Sequence, residues 1–368
     1  MTAGTHPALR TRACRLFGVE HPVVQTGMGW VAGARLTAAT SAAGGLGIIA
    51  SATMTVAELG HAVAAVRDRT DRPFGVNLRA DAPDVDDRIA LLVREGVKVA
   101  SFAQAPGERV VKSLKDAGVV VMPTIGARRH AEKVAAWGVD AVIAQGAEGG
   151  GHTGTVPTSL LVPQVVDAVD VPVIAAGGFF DGRGLVAALA WGAAGVAMGT
   201  RFLLTRESTV PDAVKSVYLG TPVTGTVVTK SIDGYPQRVV RTDLVEHLEG
   251  SGRLTALPRA LANAWRFRSL TGTSMTALAR EGRAMKRSQG LTWAQVAMAA
   301  NAAMLTKAAL VDGDLAAGVL PTGQVVGVID ELPTVAEVVG GIIDGAEATL
   351  ARLAGVPTDE TTTGGTAP

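Results

Sequence analysis

The feature that most constrains this fold is a repeated alternation of apolar and helical segments between residues 22 and 198. Short, almost continuously apolar runs are typical of parallel strands that are buried on both faces. Several of the helical segments between them end in a glycine followed by a hydrophobic residue, as at Glu95-Gly-Val97. The runs predict eight strands, at residues 22–25, 46–50, 74–78, 97–102, 119–123, 141–145, 171–176 and 195–198.

So many β/α units in so short a stretch favour a (β/α)8 TIM barrel over a doubly wound sheet, which usually has fewer strands. Glycine or polar residues follow the apolar part of each predicted strand. In this barrel the carboxyl ends of all the strands meet at one mouth, where active sites lie. Residues far apart in the sequence are therefore expected to come together there.

The pattern changes after Arg201, and this change predicts the domain organisation. We expect a barrel over 15–224, an inserted, mainly helical lobe that binds or covers the substrate over 225–318, and a return segment with a final helix packing on the barrel over 319–355. The pair Asp233-Gly234 is a hairpin turn signal within the lobe. Residues 356–368 are rich in threonine and glycine and are predicted to be disordered.

Composition excludes several classes of function. The formal net charge is +1 and aromatic residues make up 4% of the chain, which argues against nucleic-acid and membrane partners. The single cysteine, Cys14, excludes an intrachain disulfide and a cysteine metal cage. No metal-ligand spacing and no signal-peptide pattern is present, so we expect a cytoplasmic protein that acts on a small molecule. A homodimer stays open as its assembly.

The loop after the sixth strand carries the clearest chemical signal. It reads Gln145-Gly-Ala-Glu-Gly-Gly-Gly-His-Thr-Gly154. Three successive glycines suit a backbone that approaches a flat or charged ligand. A histidine has an ordinary pKa near 6.5, which allows proton transfer near neutrality. His152 is therefore the predicted acid–base residue.

Two glycine steps end the seventh and eighth strands. The first is Gly177-Gly178, and the second is Met198-Gly-Thr200. Loops at these two positions form the usual phosphate site of a (β/α)8 barrel. A phosphate-bearing cofactor is predicted there, with tight turns that bind no ligand as the alternative.

Taken together, the motifs resemble the flavin-dependent nitronate monooxygenase family, and the resemblance covers nearly the whole chain. The matching segments are Pro22-Val-Val-Gln-Thr-Gly-Met28, Ala43-Gly-Gly-Leu-Gly47, Gly75-Val-Asn-Leu78, the loop 145–154, Pro172-Val-Ile-Ala-Ala-Gly-Gly178, Ala193–Leu203, Gly234-Tyr-Pro-Gln-Arg238 and Gly323-Gln324. Two positions depart from the family pattern. Gly27 stands where proline is usual, and Gly149 stands where alanine is usual.

The resemblance implies FMN as the cofactor and His152 as the active-site histidine. It implies that Met28, Asn77 and Gln145 line the ring and the ribityl chain of the flavin. It also implies a phosphate end held by Gly150, Gly177, Gly178, Gly199 and Thr200. Gln25 and Met198, which end the first and eighth strands, complete the predicted cofactor residues.

A narrower resemblance points to the substrate. Gln25–Gly33, Gly178–Gly184 and Leu291–Gly313 resemble an actinobacterial branch linked to degradation of the last two steroid rings. The branch implies an FMN-dependent oxidoreductase acting on a CoA-linked bicyclic hydroxy or keto acid. Residues 251–290 carry many basic residues and one acid, which would suit the phosphates of CoA, although a solvated helical face or a subunit contact fits the run as well. The predicted substrate-binding residues are Trp30, Arg266, Arg268, Lys286 and Arg287.

Other functions stay open at this point. They are the oxidation of alkyl nitronates by O2, reduction of an enoyl thioester with NAD(P)H, and a flavin carrier without catalysis. A barrel with a cysteine nucleophile is discounted, because Cys14 precedes the first strand.

Overall fold

The computed structural model describes residues 6–250 and 293–355, with no side-chain detail at 293–301. Its centre is a closed barrel of eight parallel strands in the order β1-β2-β3-β4-β5-β6-β8-β9. The TIM-barrel prediction is thus confirmed. The barrel strands are β1 Val23–Gln25, β2 Leu46–Ala50, β3 Phe74–Leu78, β4 Val99–Phe102, β5 Val120–Ile125, β6 Val142–Gln145, β8 Val173–Ala176 and β9 Gly195–Met198.

Helices surround the barrel and alternate with its strands. They begin at polar caps where the sequence supplies them, as at Thr55, whose side chain and Glu58 form a capping box. The helices of the barrel region are α1 Arg12–Phe17, α2 Ala34–Ala42, α3 Val56–Arg67, α4 Val85–Arg94, α5 Glu108–Asp116, α6 Arg128–Ala136, α7 Thr158–Val166, α8 Gly182–Ala190, α9 Thr200–Leu203 and α10 Asp212–Leu219.

The apolar core has two layers. Inside the barrel, side chains from the strands pack with Phe17 of α1, which closes the amino-terminal end. Thr11, just before α1, donates a hydrogen bond to the carbonyl of Ala194, and this contact ties the helix to the start of β9. A larger cluster fills the space between the strands and the outer helices. The amino-terminal end is therefore closed, and the opposite end is where a site can form.

The chain beyond the barrel adds a small sheet and further helices. The strand β10 Thr226–Thr229 pairs antiparallel with β11 Gln237–Val240, as the Asp233-Gly234 turn signal predicts. The same β11 pairs with the two-residue strand β7, Gly151–His152. The remaining helices are α11 Asp243–Gly250, α12 Trp293–Leu310, a 3-10 helix Gln324–Val328 and α13 Val335–Leu353.

The last helix, α13, packs against α8 and α2 on the outside of the barrel. Residues 251–292 of the predicted lobe and the tail at 356–368 lie outside the described residues. Among the helices that the structure describes, none has both the length and the apolar character needed to span a membrane.

Candidate active site

His152 lies at the mouth of the barrel, on the loop that follows β6. Its backbone pairs with Gln237 of β11, and its carbonyl accepts a hydrogen bond of 2.7 Å from Nε2 of Gln145. Gln145 is the last residue of β6, so the barrel and the small sheet both hold this loop. The prediction from sequence placed His152 at a strand end, and it lies there.

The imidazole of His152 has one carboxylate partner. Its Nε2 is 2.7 Å from Oδ2 of Asp233, and the side chain of His152 is 63% exposed whereas that of Asp233 is 6% exposed. The ring of Tyr235 lies edge-on to the imidazole, with 6.1 Å between the ring centroids. Sequence reasoning identified Asp233 only as a turn residue, because nothing local links it to His152.

The remaining acid of the glycine loop, Glu148, has a structural role. Its carboxylate accepts hydrogen bonds from the backbone N–H and from the hydroxyl of Thr158, the first residue of α7. Arg238 donates to the carbonyl of Ala147 from Nε and Nη2, and burial lowers the pKa of its guanidinium below its usual value. These contacts fix the course of the loop and leave His152 as its exposed titratable group.

A second segment crosses the glycine loop. A Cβ at Gly150 would overlap the backbone of Thr322 and Gly323, so only glycine lets the two chains pass so closely. The hydroxyl of Thr200 is 3.2 Å from that of Thr322 and accepts a hydrogen bond of 3.0 Å from the N–H of Gly323. Gly150 and Thr200, both predicted to bind phosphate, thus also hold the 322–323 segment in place.

The two glycine steps follow β8 and β9, as predicted. Gly177 and Gly178 have φ values of +98° and +83°, which residues with a Cβ rarely adopt. A Cβ at Gly177 would meet the Thr158 hydroxyl at 2.9 Å, whereas one at Gly178 would have no neighbour closer than 3.7 Å. Within the described ranges, the N–H groups of Gly178 and Gly199 have no protein acceptor. These open donors suit an anionic group of a ligand.

The other predicted cofactor residues differ in how deeply they are buried and in what they contact. Asn77 is half-buried and donates to the hydroxyl of Ser101, and the sulfur of Met28 lies beside Gly199. Met198 is buried in the core. Gln25 is fully buried, and its amide is bonded to the backbone of Thr26 and Ile48. The Gln25 side chain therefore links strand β1 to strand β2.

Trp30 and the basic residues complete the predicted site. Trp30 has φ +66°, the one positive value for a residue other than glycine in the described part of the chain. It is half-buried in the loop after β1. The basic residues Arg266, Arg268, Lys286 and Arg287 lie outside the described residues.

The groups that are present fit a flavin better than a metal. Across 6–250 and 293–355, no cluster of histidine, cysteine or acidic side chains could hold a metal ion. The mouth instead offers open backbone donors at Gly178 and Gly199, and the side-chain amides of Asn77 and Gln145. Amides and backbone N–H groups are the donors that a neutral ring system and a phosphate require.

Comparison with known proteins agrees with this chemistry. The sequence profile described as nitronate monooxygenase matches residues 10–345. A protein of Rhodococcus jostii (strain RHA1), 60% identical over 335 residues, is named (3aS,4S,5R,7aS)-5-hydroxy-7a-methyl-1-oxo-octahydro-1H-indene-4-carboxyl-CoA dehydrogenase, and the match covers 91% of this chain and 95% of that protein. A protein of Mycobacterium tuberculosis (strain ATCC 25618 / H37Rv) with the same name is 60% identical over 338 residues, with the same coverage.

A solved structure gives the same result for the fold. FabK from Thermotoga maritima superposes with a TM-score of 0.77 and 35% identity, over 95% of this chain and 99% of that one. The profile match spans far more than half of the sequence, and it includes both the barrel and the β10–β11 hairpin. The chain therefore belongs to the nitronate monooxygenase family and is an oxidoreductase.

Proposed function

We propose that this protein is an FMN-dependent oxidoreductase that interconverts a hydroxyl and a keto group on a CoA-linked bicyclic acid. The observation that carries the proposal is the 60% identity, over 91% of this chain, to two proteins named as dehydrogenases of such a compound. Family membership supports a flavin as the cofactor. FMN in particular is implied by the sequence motifs and is supported by the two glycine steps at the ends of β8 and β9.

In this proposal the residues at the barrel mouth would hold the cofactor. Met28, Asn77 and Gln145 would line its ring and ribityl chain, and Met198 would complete this part of the site. Gly178, Gly199 and Thr200 hold the phosphate, and Gly150 and Gly177 shape the adjoining backbone. FMN, when bound, supplies the acceptor or donor of a hydride equivalent.

His152 supplies the proton transfer. Its exposed imidazole removes the proton of the substrate hydroxyl during oxidation and returns it during reduction. Assistance of this kind is typically worth about 10²- to 10⁴-fold in rate. Trp30 is proposed to contact the ring system of the substrate, and Arg266, Arg268, Lys286 and Arg287 to bind the phosphates of CoA.

The test is anaerobic mixing of the purified, flavin-loaded protein with three candidate reductants: the CoA thioester of a bicyclic hydroxy acid, an alkyl nitronate and NAD(P)H. Flavin absorbance is followed in each case. We expect the hydroxy thioester to bleach the flavin fastest. Faster bleaching by the nitronate would replace the proposal with nitronate oxidation. Rapid NAD(P)H oxidation that depends on an unsaturated thioester would replace it with enoyl reduction.

Two variants test the role of His152. We expect His152→Ala to retain flavin and to lose at least about 10²-fold in turnover of the hydroxy thioester. The matched control is His130→Ala, since His130 is exposed on α6 on the outside of the barrel and should be dispensable. Unchanged turnover in His152→Ala would assign the proton transfer to another group.

Salt dependence tests the CoA part of the proposal. Ion pairs with phosphates are screened at ionic strengths where the Debye length is near 10 Å, about 0.1 M. KM for the thioester should therefore rise with salt while kcat changes little, and free CoA should compete with the substrate. If free CoA does not compete and KM is independent of salt, the basic run does not bind CoA.

A further inference from the structure

Asp233 is a buried carboxyl group with three hydrogen-bond partners. Its Oδ2 accepts a hydrogen bond from Nε2 of Gln237 and lies 2.7 Å from Nε2 of His152, and its Oδ1 accepts one of 3.0 Å from the backbone N–H of Tyr235. Each oxygen therefore accepts at least one hydrogen bond, as in an ionised carboxylate. Gln237 is itself buried and belongs to β11, the strand that pairs with the backbone of His152. The arrangement fixes the carboxylate against one ring nitrogen.

We infer that Asp233 is the positioning residue that sets the tautomer of His152, and that Nδ1 is the ring atom that exchanges a proton with the substrate. The inference rests on the acid–base role proposed above for His152. It adds that Nδ1 is the nitrogen of His152 that exchanges the proton, and that Asp233 determines this by setting the tautomer.

The reason lies in what each group can donate. A carboxylate has no proton to give, so Nε2 of His152 must carry the hydrogen of the 2.7 Å contact. In the neutral ring the lone pair is then on Nδ1, which has no protein partner among the described residues. In oxidation the O–H bond of the substrate breaks and its proton passes to Nδ1. The flavin that the proposed function requires would accept the hydride from the carbinol carbon, so that the oxidation balances.

Stability alone does not account for this pair. The His152 side chain is mostly exposed, and a single hydrogen bond contributes only about 0.5–1.5 kcal/mol net to folding. An exposed imidazole without a partner would sample both tautomers and several orientations. The carboxylate, together with the edge of the Tyr235 ring, restricts it to one of them.

Asp233→Asn tests the inference, because this variant keeps the shape and inverts the hydrogen bonding. The backbone N–H of Tyr235 still requires an acceptor, which places the Asn oxygen at the Oδ1 position. The side-chain amide of Gln237, which donates to Oδ2 in the wild type, turns over so that its oxygen accepts from the new NH2. The amide NH2 then faces Nε2 of His152, which becomes an acceptor, and the ring proton moves to Nδ1. Asp233→Ala has no such effect and leaves an unrestrained ring.

For a residue that only packs, the alanine variant would lose more activity than the asparagine variant. Here we expect the reverse order. We expect Asp233→Asn to lose roughly 10²-fold in kcat for the hydroxy thioester, with KM changed by less than about threefold, and Asp233→Ala to lose less. Nitrogen-15 NMR of histidine-labelled, flavin-loaded protein should show Nε2–H for His152 in the wild type and Nδ1–H in Asp233→Asn. His152→Ala assigns the signals among the six histidines.

The matched control is Asp140→Asn. Asp140 also accepts a backbone N–H, that of Val121, and pairs with Lys115, but it lies at the amino-terminal end of the barrel. It should leave the His152 signals and kcat unchanged. An unaltered His152 spectrum in Asp233→Asn, or a greater loss in Asp233→Ala than in Asp233→Asn, overturns the inference. If the tautomer inverts but His152→Ala keeps full turnover, positioning by Asp233 stands and the acid–base role of His152 is wrong.

Discussion

The barrel and the three-stranded sheet differ in how their strands find their partners. Each barrel strand pairs with the next barrel strand along the chain, for example β2 with β3 and β3 with β4, and β9 closes on β1. The small sheet joins β7 of the loop after β6 to the β10–β11 hairpin, and its key side-chain contact links residues 81 positions apart. Local patterns thus build the scaffold, and a long-range pairing builds the site.

This difference separates stability from activity. The barrel strands contribute side chains to both layers of the apolar core. The two residues of β7 are half-buried or exposed, and they are held by polar contacts. Regions with few buried apolar contacts open at lower free energy than the core. Changes in the small sheet should therefore damage turnover more than they damage folding.

Two glycine substitutions give the largest expected effects and test this separation directly. A Cβ at Gly47 in β2 would overlap the backbone of Thr37, and one at Gly150 would overlap that of Thr322 and Gly323. Overpacking costs about 1–3 kcal/mol. We expect Gly47→Ala to lower Tm by at least about 2 °C, with flavin content and activity falling as the protein unfolds.

Gly150→Ala should behave differently. Because the loop has to move away from Thr322, His152 moves with it, and turnover should fall by at least about tenfold while Tm falls by less than about 2 °C. Thermal unfolding followed by circular dichroism and steady-state kinetics measure the two effects. A loss of Tm as large as that of Gly47→Ala would show that the small sheet and the barrel unfold as one unit.

The same difference decides what the sequence could predict. All eight barrel strands are predicted to within two residues at each end, because a buried strand is recognisable from its own apolar run. His152 is also predicted, since it follows such a run on a glycine loop. Its partner is not: Asp233 has only a local turn signal, and a two-residue strand among glycines has no periodicity. The sequence also does not show that a Cβ at Gly150 would overlap the backbone of Thr322, because this overlap arises where two distant segments cross.

A smaller loss of activity is expected for Gly149→Ala, in the loop where the barrel contacts the small sheet. A Cβ there would lie 2.7 Å from Nε2 of Gln145, the atom that donates to the carbonyl of His152. Gly149→Ala should therefore rotate the Gln145 amide away. The loss of one hydrogen bond, about 0.5–1.5 kcal/mol, corresponds to a roughly 2- to 12-fold fall in kcat/KM with Tm unchanged.

Gly154→Ala is the control for that variant. It lies in the same loop, and its Cβ would make an ordinary contact of 3.6 Å with the carbonyl of Gly126. It should keep the wild-type kcat/KM. Equal losses in the two alanine variants would mean that loop flexibility, and not the position of Gln145, sets the rate.

The smallest expected effect is on how the stability of the barrel depends on pH. The Asp84 carboxylate accepts hydrogen bonds from Arg88, which lower its pKa below the ordinary 3.8 although burial opposes the shift. Arg88 in turn donates to the carbonyls of Ser51 and Met54 after β2. A depressed carboxyl pKa stabilises the folded state above pH 3.8, and this stability is lost as the pH falls through the lower, folded-state value.

Asp84→Asn should therefore lower Tm at pH 7, by an amount equivalent to about 1 kcal/mol for a partly exposed pair, and the difference from wild type should shrink below about pH 4. Asp86→Asn, two residues further on in α4 and in an exposed pair with Arg109, should change Tm little at any pH. Neither variant touches the small sheet, so the dependence of kcat/KM on pH should match the wild type wherever the protein is folded. A displaced kcat/KM profile in Asp84→Asn would mean that the barrel loop after β2 and the His152 site are electrostatically coupled, and the separation of scaffold from site would then hold for packing but not for charge.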